Sequence, residues 1–600
     1  MANFLIVVDP DVERRSRFVD AVEPMIPPLE GLLAGKCSSG DFCAVWAAEP
    51  RAPIIQVADD QGAAVIWGEA ITDPGPERQD AATLRKLWSD PALRASAFYD
   101  GFYAAAVYEP TSGLTVGADL LGLYPVYYYC ADSVMLAGSS PELFQYHPSF
   151  RQEFNPAGLV GILLTGGLVE GQTLFRDVLR LSPGHLLLWH PDMCPEEIEQ
   201  YSIPLSNRYY SFPLAAMVDP LDHAIEQAFS RQVPRGERYT LMLSGGMDSR
   251  MVAGYLSEMD HDFVALTFGL PTDLETKCAQ RVASTLSLEH RVVEFPLERY
   301  PHYSDLTARW DHLATGFSFP WGWGLSSHLR ELAPSTISGH LLDIPFGGAS
   351  IGSAYSPSSM TMSFEPYFAY SYVLGFRPEI LKKLLRHEVF QDLVDETMER
   401  IRQEYRSYGE LESQRIMCFD LYHEGRFHIG GMAWKTSFGA WPTLPAVDRS
   451  VLEAAAGMPA AAFGQREVQT RLFCQRFPRL AQLPLEGVNR PKRAPQPRFR
   501  QQVAWHLEDR LAPYLHRLQD LTGFHSTERN RVHRIGDFNG SGWQAVRRHA
   551  EPYRERVSHL FRRDVLDELL PPPGENVHSW QDYLPLKLLV GLMLFSKENL

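Results

Sequence analysis

The chain has 600 residues, more than one hydrophobic core usually organises, so two or more domains are expected. Hydrophobic residues make up 45% and charged residues 22%, as in an ordinary soluble globular protein. A net charge of -17 argues against nonspecific nucleic-acid binding, and no apolar run is long enough to span a bilayer, so neither nucleic acid nor membrane is an expected partner.

The N-terminus has no basic region and no long apolar run, so no signal peptide is expected. The seven cysteines are scattered without a CxxC pair, which indicates neither a zinc knuckle nor a disulfide framework. A reduced, cytoplasmic protein is the simplest expectation. Residues 1 to about 200 read as strand-rich. The runs Ala63–Trp67, Tyr103–Tyr108, Tyr124–Tyr129 and His185–Trp189 are β-branched or aromatic and are separated by Gly, Pro and Asp turns. Asn155–Leu164 reads as a helix, with Asn155 as N-cap and Pro156 in the first turn.

Residues 201–215 read as a linker, which places the domains at 1–205 and 206–600. The pattern then changes. A helix near Leu221–Ser230 leads to a strand at Tyr239–Leu243, a glycine turn and a helix from Arg250 to Glu258. A strand at Phe263–Phe268, a helix at Glu275–Leu286 and a strand at Arg291–Phe295 follow. This alternation predicts a parallel α/β layout. From about residue 370 helical patterns dominate. Residues 522–563 are rich in Arg, His and Gly and read as a mobile excursion.

The sharpest local signal is the run Leu241 to Arg250, which contains Ser-Gly-Gly-Met-Asp-Ser. Small residues after an apolar strand allow a tight turn with converging backbone N–H groups. A helix N-terminus directly afterward adds unsatisfied donors and partial positive charge, which together make a phosphate cradle. The Gly-Lys-Ser/Thr of a γ-phosphate-binding loop is absent. The run resembles the pyrophosphate-loop ATP hydrolases, which cleave ATP between its α- and β-phosphates. That resemblance implies ATP and Mg²⁺, with Asp248 as a metal ligand and Ser244, Gly246 and Ser249 around the pyrophosphate. It also implies nucleotide contacts from Leu243, Gly245 and Phe268.

Further segments resemble asparagine synthetase in order and spacing. They are Trp67 to Ile71, Asp100 to Tyr108, Asp119 to Tyr128, Leu174 to His185, and Asp273 to His290. Ser338 to Gly348 aligns without gaps on the family's S-G-E-G-A-D-E-L-F-G-G, which adds Ser338 and Gly339 to the nucleotide site and makes Asp343 the second metal ligand. Asn489 to Lys492 resembles the family's R-x-K segment and implies Lys492 as the catalytic cation. The implied fold is α/β, an N-terminal Ntn-hydrolase-like αββα sandwich followed by a synthetase domain of the adenine-nucleotide α-hydrolase type.

The chain also departs from the family. Ala2 stands where glutamine-dependent members carry a nucleophilic cysteine, Trp67 replaces an asparagine, and Ala118 replaces an arginine. A fold without glutaminase activity is therefore expected. Relatives that use another amine are the β-lactam synthetases and lasso-peptide cyclases. Their chemistry needs a general base, for which Tyr422, Glu424 and His428 are candidates. Trp441 and Thr443 replace the Glu and Arg of the family's E-x-R-x-P-F-L-D segment, which departs from an aspartate pocket. Phe317, Phe319, Trp321 and Trp323 either line a larger acceptor pocket or are core. The expected function is an AMP-forming amide synthetase that closes a macrolactam or joins another natural-product amide. A precursor peptide and a processing protease would then be partners. Ammonia-dependent amidation of a sugar acid and a noncatalytic scaffold are the alternatives.

Overall fold

A computed structural model describes residues 2–599 except 192, 318, 347–353, 357, 360, 372–373, 487–491, 498, 500, 502–530 and 578–582. Strict alternation builds its first half. Along Gly62–Ile71, Ala63, Val65 and Trp67 join the main core, while Ala64, Ile66 and Ala70 face the opposite side. Asp100–Glu109 behaves alike: Phe102, Ala104 and Ala106 point one way, Tyr103, Ala105 and Val107 the other. A period of two puts successive side chains on opposite faces. One face meets a second sheet, and the other is covered by Ala81, Leu84 and Trp88 of the helix Ala81–Ser89.

The two sheets are six-stranded. The first runs Leu179–Arg180, Tyr127–Ala131, Val134–Gly138, Ala2–Val8, Phe42–Ala48, Leu33–Ser39. The second runs Glu196–Glu199, His185–Trp189, Gly113–Ala118, Asp100–Glu109, Gly62–Ile71, Ile54–Asp59. All their pairings are antiparallel. The strand expected from Tyr124 starts at Tyr127 instead. The Asp119 carboxylate accepts from the N–H groups of Leu121, Leu123 and Tyr124, and Pro125 has no N–H to offer a ladder. The helix at Pro156–Thr165 is as expected with Asn155 at its N-cap position, but the Asn155 side chain makes no capping hydrogen bond. Its amide donates to Thr173 O at 3.0 Å.

The second half is built on a five-stranded parallel sheet in the order His290–Val293, Asp262–Phe268, Arg238–Met242, Ser335–Ser338, Trp441–Thr443. The chain winds outward in one direction and then in the other, so the strand order reverses beside Arg238–Met242. In open α/β sheets ligands bind beyond the carboxyl ends of the strands at such a switch point. The helix expected from Arg250 begins at Met247, inside the Ser-Gly-Gly-Met-Asp-Ser run. Later elements are helical, including Leu393–Ser407 and a continuous rod over residues 412–436 whose middle, Leu421–Ile429, is π-helical.

Residues 522–530 lie outside the described part, but the rest of the basic 522–563 region is not a mobile excursion. Ser541–Ala550 buries Trp543 and Val546, with Trp543 edge-on to Tyr300 of the helix Tyr300–Asp311. Its basic character serves the fold: Arg547 donates to the carbonyls of Pro571, Pro572 and Glu575. No described helix is long and apolar enough to cross a membrane.

The two halves meet across buried ion pairs. Arg231 reaches Asp73, Asp100 and Asp448, and Arg449 Nε donates to Asp100 Oδ2 at 2.8 Å. Burial, and then the charge of Asp448, push the Asp100 carboxyl up to about 6 despite both guanidiniums. Removing one partner of a buried ion group strands the others at a cost of about 3–5 kcal/mol. Arg231→Met is therefore expected to lower the denaturant midpoint followed by tryptophan emission. An unchanged midpoint would show that the two halves are held elsewhere.

Candidate nucleotide site

The turn after Arg238–Met242 is closed by its own serines. Ser249 Oγ accepts from Ser244 N–H at 3.0 Å and lies 2.9 Å from Ser244 Oγ, which accepts from Gly246 N–H at 3.1 Å. Gly246 is the N-cap of Met247–Glu258 and has no side chain to cap it. No cap side chain therefore covers the positive end of the helix dipole. Gly245 is required by close approach, since a Cβ there would lie 2.8 Å from the Cβ atoms of Cys278 and Glu486.

Parallel pairing brings a second loop to the same edge. Met242 is in register with Ser338, so the chain after each strand emerges side by side. A Cβ on Gly339 would lie 2.6 Å from Ser249 N and 2.7 Å from Asp248 C. Leu341, at φ +69°, then turns the chain so that Asp343 comes near Asp248. Burial, and after it the charge of Asp248, push the Asp343 carboxyl up to about 6, while Arg466 pulls it back. Two converging carboxylates suit a divalent cation. Mg²⁺ takes one or two protein carboxylates and completes its octahedron with phosphate oxygens and water. Among the described residues there is no cluster of three or more His, Cys, Asp or Glu that could hold a metal.

Four residues around the turn escaped the sequence reading. Arg466, in a left-handed backbone conformation, forms an ion pair with Asp248, and the buried Gln469 donates to the same carboxylate at 2.8 Å. Glu486 Oε2 accepts from Gly245 N–H at 3.0 Å. Arg250, fully buried, donates to Gly245 O, Leu483 O and Pro484 O. Only Arg250 left a signal in the sequence, as a charge directly before the apolar stretch Met251 to Ala253.

The remaining expected residues divide. Leu243 and Phe268 lie at the strand ends with their side chains in the core, Phe268 stacked on Phe295. Lys492 pairs through its backbone, donating to Leu485 O at 2.7 Å, and its side chain is exposed. Asn489, Arg490 and Pro491 lie outside the described residues, as do Gly347 and Gly348. Phe317 and Trp323 are core, whereas Phe319 and Trp321 are only partly buried and contact one another edge-on. Trp441 is buried, and its ring lies 5.9 Å from Phe102 in the first half. Asp448 joins the interdomain ion pairs and caps the helix Arg449–Ala456.

The three base candidates do not come together. Tyr422 packs beside Tyr408, and its acidity is lowered by burial first. Glu424 instead faces Asp420, which is buried and accepts from the Tyr367 hydroxyl. Burial, and then the charge of Glu424, push Asp420 well above the usual carboxylate range. Residues two apart on a helix point to different sides, which separates Tyr422 from Glu424. His428 is buried beside Phe319, and burial together with the Lys435 charge pulls it down to about 3.

The surroundings of Ala2 and Trp67, two positions that depart from the family pattern, are packed with aromatics. Ala2 is fully buried, and its carbonyl accepts from Tyr124 OH at 2.7 Å. Phe4 stacks on Trp67 with centroids 4.1 Å apart. Trp46 meets Trp67 edge-on.

Residues 220–594 match the family described as asparagine synthase, and residues 78–201 match a glutamine amidotransferase domain. No curated protein sequence matches. Among solved structures, the glutamine phosphoribosylpyrophosphate amidotransferase from B. subtilis is similar at 9% identity and TM-score 0.24, over 49% of this chain and 81% of that one. The NMN synthetase from Francisella tularensis is similar at 14% identity and TM-score 0.18, over 36% and 94%. The NH3-dependent NAD synthetase from Campylobacter jejuni is similar at 14% and 0.18, over 36% and 96%. Likenesses this distant decide nothing about activity.

The close approach of the two loops generates a test. Gly339→Ala drives a methyl group into backbone atoms of Ser249 and Asp248. Overpacking of this kind costs about 1–3 kcal/mol, and it is expected to lower both the melting temperature and the affinity for ATP. A variant that melts and binds like the wild type would refute the contact.

Proposed function

The chain belongs to the asparagine synthase family and is an ATP-dependent ligase that forms an amide bond; on that premise we propose that it activates a carboxylate as its adenylate and joins it to an amine that does not come from glutamine. The observation that carries the reading is the convergence of the 244–249 turn with Asp343 at the switch point of the parallel sheet. In the first step a substrate carboxylate oxygen attacks the α-phosphorus, and pyrophosphate leaves. In the second the amine attacks the acyl carbon, AMP leaves, and one proton passes to a base.

The chain's own residues account for several needs. The turn N–H groups and the helix N-terminus favour the departing pyrophosphate. Asp248 and Asp343 would hold Mg²⁺, which supplies charge neutralisation on the phosphates. Glu424 is our candidate for the base, since it faces Asp420 on the π-helical turn that packs over the Asp343 loop, where a Cβ on Gly425 would meet Leu341. Lys492 is our candidate for the cation that meets the charge growing on the reacting atoms.

Independence from glutamine is supported by Ala2, which has no thiol, and by Trp67, which stands in place of the family's asparagine and stacks on Phe4. The aspartate-type acceptor pocket is also altered, since Trp441 turns into the domain seam. Phe319 and Trp321 present partly open aromatic surface instead. These features favour an acceptor larger and less acidic than aspartate, and macrolactam closure within a peptide is the specific reading we prefer. A precursor peptide and its protease would be the partners.

Incubation of labelled ATP with candidate carboxylates is expected to release AMP and pyrophosphate, and ADP would exclude the mechanism. Asp248→Asn should cut AMP release at least about a hundredfold, since a ligand to the charge-neutralising ion is lost. Undiminished release would take Asp248 out of the site. Added glutamine should yield no glutamate. With its carboxyl pushed up to about 6, Asp343 is protonated below that pH and charged above it. Mg²⁺-dependent ATP affinity by calorimetry is therefore expected to be high at pH 7.5 and to fall as pH drops through about 6. A flat profile would separate Asp343 from the cation.

A further inference from the structure

The anion seat of the 244–249 turn is already filled, and it is filled by the chain itself. Glu486 Oε2 takes the Gly245 N–H at 3.0 Å, and Glu486 N–H donates back to Gly245 O at 3.0 Å. A carboxylate on a backbone N–H beside a helix N-terminus is the chemistry of a bound phosphate oxygen. The cation position is treated likewise, for the Arg466 guanidinium pairs with Asp248 while Asp343 lies close by.

Neither contact is a surface accident. The Asp248 and Arg466 side chains are both about one-fifth exposed. Arg250 bolts the segment that carries Glu486 to the turn, through Leu483 O at 3.0 Å, Pro484 O at 2.5 Å and Gly245 O at 2.9 Å. The arrangement also has an electrostatic reason. Without nucleotide, the turn's donors and the paired carboxylates need partners, because buried polar groups left unmatched are costly.

We propose that Glu486 and Arg466 are surrogate ligands, a carboxylate standing for phosphate and a guanidinium standing for the metal ion, and that nucleotide binds by displacing both. The inference rests on the reading that this turn holds the phosphates of ATP. It adds that binding is an exchange: phosphate oxygens take the Gly245 N–H from Glu486, and Mg²⁺ takes Asp248 from Arg466. A displaced Glu486 cannot stay beside a polyanion without repulsion. Leu485 O accepts from Lys492 N–H, so the exchange at the turn is transmitted to the backbone of Lys492. Nucleotide entry and placement of the proposed catalytic cation become one event.

A site closed most of the time binds with its affinity reduced by the open fraction. The full chain is titrated calorimetrically with inorganic pyrophosphate and with ATP, with and without Mg²⁺. Glu486→Gln is expected to tighten magnesium-free pyrophosphate binding about tenfold, and Arg466→Gln to lower several-fold the Mg²⁺ concentration for half-saturation with ATP. Glu486→Asp, which keeps the charge and shortens the reach, should move affinity in the same direction by less, and it serves if the glutamine variant does not fold. Melting without ligand checks the fold of each variant. Wild type that binds, with Glu486 variants that bind no tighter, overturns the exchange while leaving the nucleotide reading intact. An unchanged or higher Mg²⁺ requirement in Arg466→Gln removes the cation half. Binding by a Glu486 variant where the wild type is silent supports the exchange, and silence from all of them removes both readings.

Discussion

Everything at the candidate site depends on two parallel strands lying in register. Met242 pairs beside Ser338, and the chains leaving them approach until Gly339 touches the backbone of Asp248 and Ser249. Nearly a hundred positions of sequence separate those residues, about 96 by number, so only the sheet can bring them together. The reversal of strand order falls at this point, where open α/β sheets place their ligands. A glycine at 339 and a glycine at 245 are the price of that proximity, since each would carry a Cβ into a neighbour.

Close approach creates an electrostatic problem that the surrounding helices answer. Burial, and after it the charge of Asp248, raise the affinity of Asp343 for a proton. Arg466 and Gln469 bind Asp248 from one side, while Glu486 covers the turn's amide from another. The π-helical turn adds a further acidic pair, Asp420 and Glu424, beside Asp343. Arg466 and Glu486 thus give the carboxylate and the turn amide partners of opposite character, the same pairing that a magnesium–polyphosphate complex would offer them.

The first half has the sandwich of an amidotransferase domain, and several of its motif residues hold the fold and the seam. Asp100 anchors Arg231 and Arg449 across the domain seam. Asp119 caps the turn before Tyr127 with both oxygens, and burial pushes its carboxyl up to about 6. Trp67 stacks on Phe4 and takes Trp46 edge-on. Such packing fills the space between the two sheets with hydrophobic contact, which stabilises their interface.

What the sequence determined by itself is local or collinear. β-Branched and aromatic runs between turn residues placed the strands of the sandwich within a few residues, because such side chains suit the pleat and Gly, Pro and Asp end it. The Ser-Gly-Gly-Met-Asp-Ser turn was legible because its chemistry resides in consecutive residues, and Asp343 because its segment aligns without a gap. The tertiary structure decided the rest. Arg466, Gln469 and Glu486 act from helices and loops more than two hundred positions from the turn they serve, and nothing in their own neighbourhoods marks them. Tyr422 and Glu424 look like partners in sequence yet face different sides of one helix. Side-chain partnership is a property of distance in space, and packing of the completed sheet is what sets that distance.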